Sequence, residues 1–479
     1  MPLLQTGNSM VANTPTSHNW VSNMEMFGNL NMEKPEIYSM VVKALGDQEI
    51  EGIVGLNDLG FNPVQAKLQQ HWEEDWLHQF ITGTCTTTGN ADDNITYTIS
   101  GAYQVTYPNA AKTPYIDDGL PTSGYTSQPI PIAGVTNPVR PNDILQIANG
   151  GSPIEVFVVS VDYAAGTMVL RAIGSTPIPT LTSADQVIIT GNTWGEGTSQ
   201  PTGRNFRYLA AKANMQIFKG SVSSTNSQLG VKNWINEGKS WHFMNQLNEM
   251  VRFKNEMWTQ LMVGRPLTNA SLAILQPTNT KTQGLIPLIE DFGNNYTYFG
   301  QLTLADFESF IVNQLDKNRA TMENFLVCGI NVRFNIDAML RAEMKNGGIS
   351  YGAFNGDEKK AINLGFNSFN HGGYTWHLKT NKSFNYKMLL GAEGQPYKDM
   401  ALVIPSGNTT ASMSEGGGSK ITVPYLRINY MSGNGENRLL KESTIGWENN
   451  EIDAVKYNML SERGLEAFGL NRFGIMKKG

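Results

Sequence analysis

No stretch between Thr82 and Thr190 carries helical periodicity. In its place, the β-branched runs "ITYTIS", "YQVTYP", "DILQIA", "IEVFVVSVD", "TMVLRAI" and "QVIIT" follow one another across clusters of Gly, Pro, Asn and Asp. Strands without helices can bury their apolar faces only against each other. The last four runs, from about 140 to 192, are spaced evenly enough for a small sandwich or barrel set inside a longer excursion.

Beyond this stretch the pattern inverts. From Val231 to Val263, Trp241, Met244, Val251 and Trp258 form one apolar stripe and Phe243, Met250, Met257 and Leu261 the next, with Glu237, Lys239, Glu249, Arg252 and Glu256 on the remaining face. About thirty residues at 1.5 Å each make a rod of roughly 45 Å, long enough to brace an extended body. Two shorter helices are predicted ahead of the β runs. One is "KPEIYSMVVKAL", with Pro35 near its start; the other is "VQAKLQQHWEEDWLHQFI", where Leu68, Trp72, Trp76 and Phe80 recur every four residues as one buried face. The polar leader, up to residue 34 or so, is expected to be an extended arm.

An α/β region follows the long helix. Thr303-Leu-Ala-Asp306 reads as a capping box ahead of Phe307, Ile311 and Leu315. "FLVCGINV" reads as a buried strand, and "NIDAMLRAEM" as a helix closed by Gly347-Gly348. Further strands are predicted at "YTWHLKT", "YKMLLG", "MALVIP" and "ITVPYLRINYM", with the glycine-rich "SEGGGSK" as a turn.

At 479 residues the chain has length for about three lobes with substantial cores. Charged residues are 16%, against about a quarter in an average globular chain, and neutral polar residues fill the gap. Low charge suits a surface covered by partners, because interface centres are depleted in charge. The net charge of −6 gives no basic field to hold nucleic acid by counterion release. Cys85 and Cys328 are the only cysteines, too few for a zinc set or a disulfide framework, and Cys328 sits in an apolar run as a small buried hydrophobe. The opening residues lack a charged segment followed by an apolar one, and no window nears 18 consecutive apolar residues. The expectation is a cytosol-made chain that crosses no membrane by itself.

Several motifs approach known chemistry and fall short. "EGKS" at Glu237 to Ser240 resembles the end of a phosphate-binding loop, but the spacing needs glycine where Asn233 stands, and the motif lies inside the predicted long helix. On a helix, His71, Asp75 and His78 would fall at i, i+4 and i+7 and face one metal ion; a solvated face opposite Trp72 and Trp76 explains them as well. His242 and His377 adjoin Trp241 and Trp376, a setting for packing. Asp117-Asp118 and Glu448 to Glu451 sit in polar, turn-like contexts, and no nucleophile signature is present. The residues therefore point to no cofactor, metal or catalytic site.

The order of segments, with "WGEGTSQP" leading into "NMQIFKG", resembles the major capsid proteins of tailed bacteriophages, the Hong Kong 97-type fold. The closing "LSERGLEAFGLNRFGIMKK" and the Asn-rich composition are similar to those of crAss-like phages. The resemblance implies an α+β chain with an N-terminal arm at 1–60, a helix at 61–81, and an extended β loop at 82–215 carrying an inserted β subdomain at 140–192. It further implies a peripheral domain with a spine helix at 216–266, an axial α/β domain at 267–420, and late strands at 421–479. It implies self-assembly into homo-pentamers and homo-hexamers of an icosahedral head, built in the bacterial host cytoplasm around double-stranded DNA held without sequence-specific binding. A separate scaffold, a portal and auxiliary or decoration proteins are the expected partners.

Within that frame, Gly195-Glu196-Gly197 reads as the root of a loop reaching a neighbouring copy. Both glycines would permit a sharp turn, and Glu196 would pair with Arg204, Arg207 or a basic side chain of the adjacent subunit. Two other readings compete: a β-rich glycan-binding or adhesin protein, favoured by the Asn, Gly, Tyr and Trp content, and a metal-dependent hydrolase using His71 and His78.

Overall fold

The computed structural model describes residues 48–49, 60–74, 80–86, 93–101, 139–148, 153–182, 185–201, 208–230, 239–265, 280–346, 368–386, 390, 394, 396–412, 420–446, 448 and 452–479. The predicted arm and its helix at "KPEIYSMVVKAL" lie outside these residues. The chain divides into two units. One comprises residues 1–48, 221–251 and 443–458; the other comprises 49–220, 252–442 and 459–479.

Among the described residues of 61–81 the predicted helix does not form. Strands β1 (Phe61–Val64), β2 (Leu68–Glu74) and β3 (Phe80–Thr84) occupy its place. A spacing of four is an even number, so Leu68 and Trp72 share one face of a strand as readily as one face of a helix. Long-range pairing decides between the two, because β2 takes its register from a strand far along the chain.

A closed barrel follows. It is built from β3, β4 (Ile95–Gly101), β5 (Asp143–Ala148), β6 (Ile154–Asp162), β7 (Thr167–Ala172) and β8 (Gln186–Asn192), in the order β3-β4-β7-β6-β5-β8. All its pairings are antiparallel. The barrel thus begins at Phe80, well before 140, because β3 and β4 supply two staves and β3 pairs with β8 to close it. "YQVTYP" lies outside the described residues. Alternation explains the interior: Leu145 and Ile147, Val156 and Val158, Met168 and Leu170 all point inward, with Ile81, Tyr97 and Val187, in one buried cluster. Side chains fill the barrel.

The return limb comprises β9 (Tyr208–Asn214) and β10 (Gln216–Thr225), then α1 (Asn226–Gly230) and the long helix α2 (Lys239–Val263). Positions 231–238, including most of "EGKS", are outside the described residues. Met257 and Leu261 of α2 are buried as predicted, and Phe253 joins them, but Phe243 is 62% exposed and Leu247 61%. The wide apolar face of this helix is therefore only partly covered.

The α/β region holds α3 (Leu285–Phe292), β11 (Asn294–Tyr298), α4 (Leu304–Phe310) running into a π-helical turn at Ile311–Asp316, β12 (Glu323–Cys328), α5 (Ile330–Asn346), β13 (Ser368–His371), β14 (Tyr374–Thr380) and β15 (Met400–Pro405). The strand predicted at "FLVCGINV" stops at Cys328 and its last residues open α5. "YKMLLG" is no strand where it is described: Tyr386 is irregular and Leu390 lies in a turn. Gly347-Gly348 lie outside the described residues. The tail adds the hairpin β16 (Asn408–Ser412) and β17 (Lys420–Pro424), then β18 (Leu426–Gly433), β19 (Glu436–Asn437), β20 (Lys441–Ile445), β21 (Ala454–Ala467) and β22 (Gly474–Lys478).

Two six-stranded sheets result. One has the order β11-β22-β15-β12-β14-β13; every residue of its central strand β15 is buried, which suits the unbroken apolar run "MALVIP". Its core joins Trp376 and Phe307, rings 5.1 Å apart edge to face, with Phe310, Leu326 and Val403. The other sheet has the order β1-β18-β21-β10, with β19 on β18 and β20 on β21. No described helix is long and apolar enough to cross a membrane.

The capping box forms as predicted, with Thr303 Oγ1 accepting from the Asp306 amide and Asp306 accepting from the Thr303 amide. The hydrogen bond from Thr303 Oγ1, foremost, and those from the Thr303 amide and Tyr296 lower the pKa of the Asp306 carboxyl below its ordinary value; the slight desolvation opposes them. Thr303→Ala should cost about 1 kcal/mol in urea unfolding at neutral pH. That difference should shrink as pH falls through Asp306's lowered pKa, because a depressed carboxylate contributes stability only while ionised.

Candidate functional site

Strands β2 and β9 pair antiparallel from Leu68↔Asn214 to Glu74↔Tyr208 and form a two-stranded ribbon. The barrel lies in the chain between its two limbs. Two places on this excursion bear on function: the turn leaving the barrel and the root of the ribbon.

At the barrel exit, Thr198 Oγ1 donates to the Gly195 carbonyl at 2.8 Å and closes a turn. Gly197 takes φ +75°, which a side chain would strain. Gly195 stays out of the left-handed region, so only one of the two glycines serves as expected. Glu196 is exposed and has no ion-pair partner among the described residues. Arg204 and Arg207 lie outside the described residues, so the structure does not bring the three predicted contact residues together.

The root is a buried ionic cluster. Glu466 of β21 is 2% exposed. Its Oε1 lies 3.0 Å from His71 Nδ1, and its Oε2 accepts from Arg427 Nη2 at 2.8 Å, Arg427 Nε at 2.9 Å and Asn429 Nδ2 at 2.6 Å. Asn62 Nδ2 of β1 in turn donates to Asn429 Oδ1 at 3.0 Å. The Phe468 ring lies against both partners, tilted at 4.4 Å from the His71 ring and 4.8 Å from the Arg427 guanidinium. Two residues before Glu466, Gly464 leaves room for the chain end of the ribbon: a Cβ there would sit 2.7 Å from the Asn214 carbonyl oxygen. The cluster thus ties the first residues of the ribbon to β18 and β21.

Burial raises the Glu466 pKa, yet the hydrogen bonds from His71 and Asn429 and the charges of Arg427 and His71 outweigh it and hold the carboxyl below its ordinary value. His71 sits on a strand and bonds to Glu466, so it does not stand on a helix face as the metal reading required. Asp75 and His78 lie outside the described residues, and among the described residues no three His, Cys, Asp or Glu side chains converge on a point that would hold a metal.

The other described histidines are held by polar partners within the chain. His242 is buried, with Gln246 Nε2 at 2.8 Å from its Nε2 and Ser224 Oγ at 2.9 Å from its Nδ1. His377 pairs with Glu323 at 2.9 Å and His371 with Glu308 at 3.1 Å. The Cys328 thiol is pushed up to about 12, first by burial, and is inert as a nucleophile.

No protein-family model matches the chain, and no curated protein sequence matches it. Among solved structures it is similar to a chain from Mycobacterium phage Adephagia, with TM-score 0.38 and 8% identity over 96% of this chain and 98% of that one. It is also similar to the capsid of the cyanophage P-SCSP1u, with TM-score 0.34 and 12% identity over 61% and 81%. A third likeness, to the capsid of Myoviridae phage XM1, has TM-score 0.32 and 10% identity over 59% and 81%.

Replacing the Glu466 charge should loosen the ribbon. Glu466→Gln is expected to cost about 3 kcal/mol, because it leaves Arg427 without its buried partner. The parent's advantage over the variant should be complete above the ordinary carboxylate range and fade as pH falls through the lowered pKa, on top of the acid loss that both share. Denaturant titrations across acid pH, with hydrogen exchange at the ribbon amides, read both effects.

Proposed function

We propose that the chain is a structural protein that assembles with copies of itself into a shell, and that no pocket within one copy performs a reaction. The observation that carries this reading is the ribbon. Among the described residues it has two strands and no third, so both of its outer edges present unpaired backbone groups. A two-stranded ribbon alone is marginal in water, and natural proteins cover such edges or pair them. Exposed large apolar side chains add to the case: Phe299 is 79% exposed, and Phe243, Leu247, Val312, Met322, Phe334 and Ile452 are exposed as well.

In its finer form the proposal is a major capsid protein of Hong Kong 97 type, in a tailed phage of crAss-like kind. The ribbon and barrel would be the extended loop, α2 the spine of a peripheral domain, and the sheet containing β15 the axial domain. Heterologous contacts that close by rotation give rings, here pentamers and hexamers, and repeated weak contacts between already linked copies sum to a stable icosahedral shell. Double-stranded DNA would be enclosed without specific binding, consistent with the net charge of −6. A scaffold, a portal and decoration proteins would be separate partners, with assembly in the host cytoplasm. Glu196, on its exposed turn, would fix register against a basic group such as Arg204, Arg207 or one on the adjacent copy. The glycan-binder reading loses ground because side chains fill the barrel interior.

Size-exclusion chromatography and negative-stain microscopy of the full chain, alone and with a scaffold protein, test the reading. Rings, tubes or shells are expected; a single copy at every concentration in both settings overturns it. Glu196→Lys should shift the assembly midpoint by no more than about 1 kcal/mol per contact while altering particle regularity. Unchanged particles would remove Glu196 from the contact.

A further inference from the structure

Two arginines in the sheet containing β21, Arg427 and Arg463, and one just beyond its strand β19, Arg438, are not equally compensated. Arg427 has Glu466, and Arg438 Nη1 has Glu462 Oε2 at 2.6 Å. Arg463, only 6% exposed, has no carboxylate among the described residues. Its Nε donates to Ser461 Oγ at 2.8 Å and to the Leu439 carbonyl at 3.2 Å, and its Nη2 donates to the same carbonyl at 2.8 Å. The Phe61 and Trp258 rings flank the guanidinium at 5.3 and 5.6 Å. Among the described residues its partners are neutral groups and ring faces, and burial pushes its pKa down to about 10.

Two features make this a site and not merely a costly charge. A guanidinium carries five N–H groups, and those of Nη1 find no acceptor among the described residues. Yet Nη1 is not among the side-chain atoms sealed from solvent without a partner, so that corner opens outward. Phe61, whose ring centroid lies 5.3 Å from the guanidinium carbon, belongs to an outer strand of the sheet and is 44% exposed. Held at its Nε edge and open at Nη1, the guanidinium offers the end-on fork that takes a carboxylate.

We propose that Arg463 is a carboxylate-binding site, completed by an acidic side chain of a second copy of the chain entering beside Phe61. The second copy as source rests on the shell reading; the site itself rests on Arg463's surroundings. The chain carries 42 acidic residues against 36 basic ones, so a second copy brings an acidic surplus to the contact. A buried cation without a counter-charge weighs against the single copy, and pairing relieves it only on association.

Arg463→Met is the decisive variant, because Ser461 Oγ still donates to the Leu439 carbonyl at 2.7 Å when the guanidinium is gone. It should unfold at the same or higher denaturant concentration than the parent, yet assemble at least about tenfold more weakly. Assembly equal to the parent's overturns the proposal. A loss of stability overturns it too, since Arg463 would then be compensated within its own chain. In the second arm, the full-length unassembled parent is titrated with sodium acetate against sodium chloride of equal ionic strength, and tryptophan fluorescence is followed. A saturable, acetate-specific change that Arg463→Met lacks is expected; no such change overturns the site. A parent that stays single at every concentration overturns the second copy as source together with the shell reading, and acetate then decides the site alone.

Discussion

A carboxylate taken out of water has to be met on every side, and Glu466 is met by His71, Arg427 and Asn429. Those partners come from β2 and β18, which are distant in sequence, so the charge acts as a registration pin for the ribbon. The pair itself adds modest net stability, since desolvation consumes much of the attraction. Its larger effect is selectivity. A one-residue slip of β2 would turn His71 to the opposite face and leave a buried anion short of a partner, on top of reversing the strand's own inward and outward pattern.

The barrel depends on nothing so specific. Its cluster of Ile, Val, Leu and Met side chains is apolar throughout apart from Tyr97 and Cys85, and alternation alone dictates which residues enter it. This is why the sequence made that part readable: "IEVFVVSVD" and "DILQIA" coincide with β6 and β5 to the residue. The capping box at Thr303 was equally legible, because a cap is local chemistry with a fixed spacing. Where the sequence misled, the interval was ambiguous or the partner was remote. Leu68 and Trp72 fit two periods at once, and only pairing with β9 decides between them. "FLVCGINV" offered no breaker other than Gly329 to mark where strand becomes helix.

The ionic root was not legible as a site, although a trace of it was present. "LSERGLEAF" sets charged residues within a stretch that is otherwise apolar or small, and Glu462 and Glu466 fall on one face of β21 while Arg463 falls on the other. Buried charges written into a strand of this length signal partners elsewhere, but the sequence does not name them. His71 drew attention for the wrong reason: its neighbours Asp75 and His78 suggested a helical triad, whereas its actual partner is 395 positions away.

The placement of the barrel between the limbs of the ribbon also governs how such a chain can fold. His71 and Ala211 face each other across 140 positions (211 − 71), a closure that a loose chain would find entropically costly and slow. Once β3 has zipped to β8, however, Phe80 lies beside Ile188, and the slack between the two limbs falls to a few residues on one side and about twenty on the other. The cassette thus works as a molecular clasp: it matures from contacts within its own span and then hands the two ends to each other.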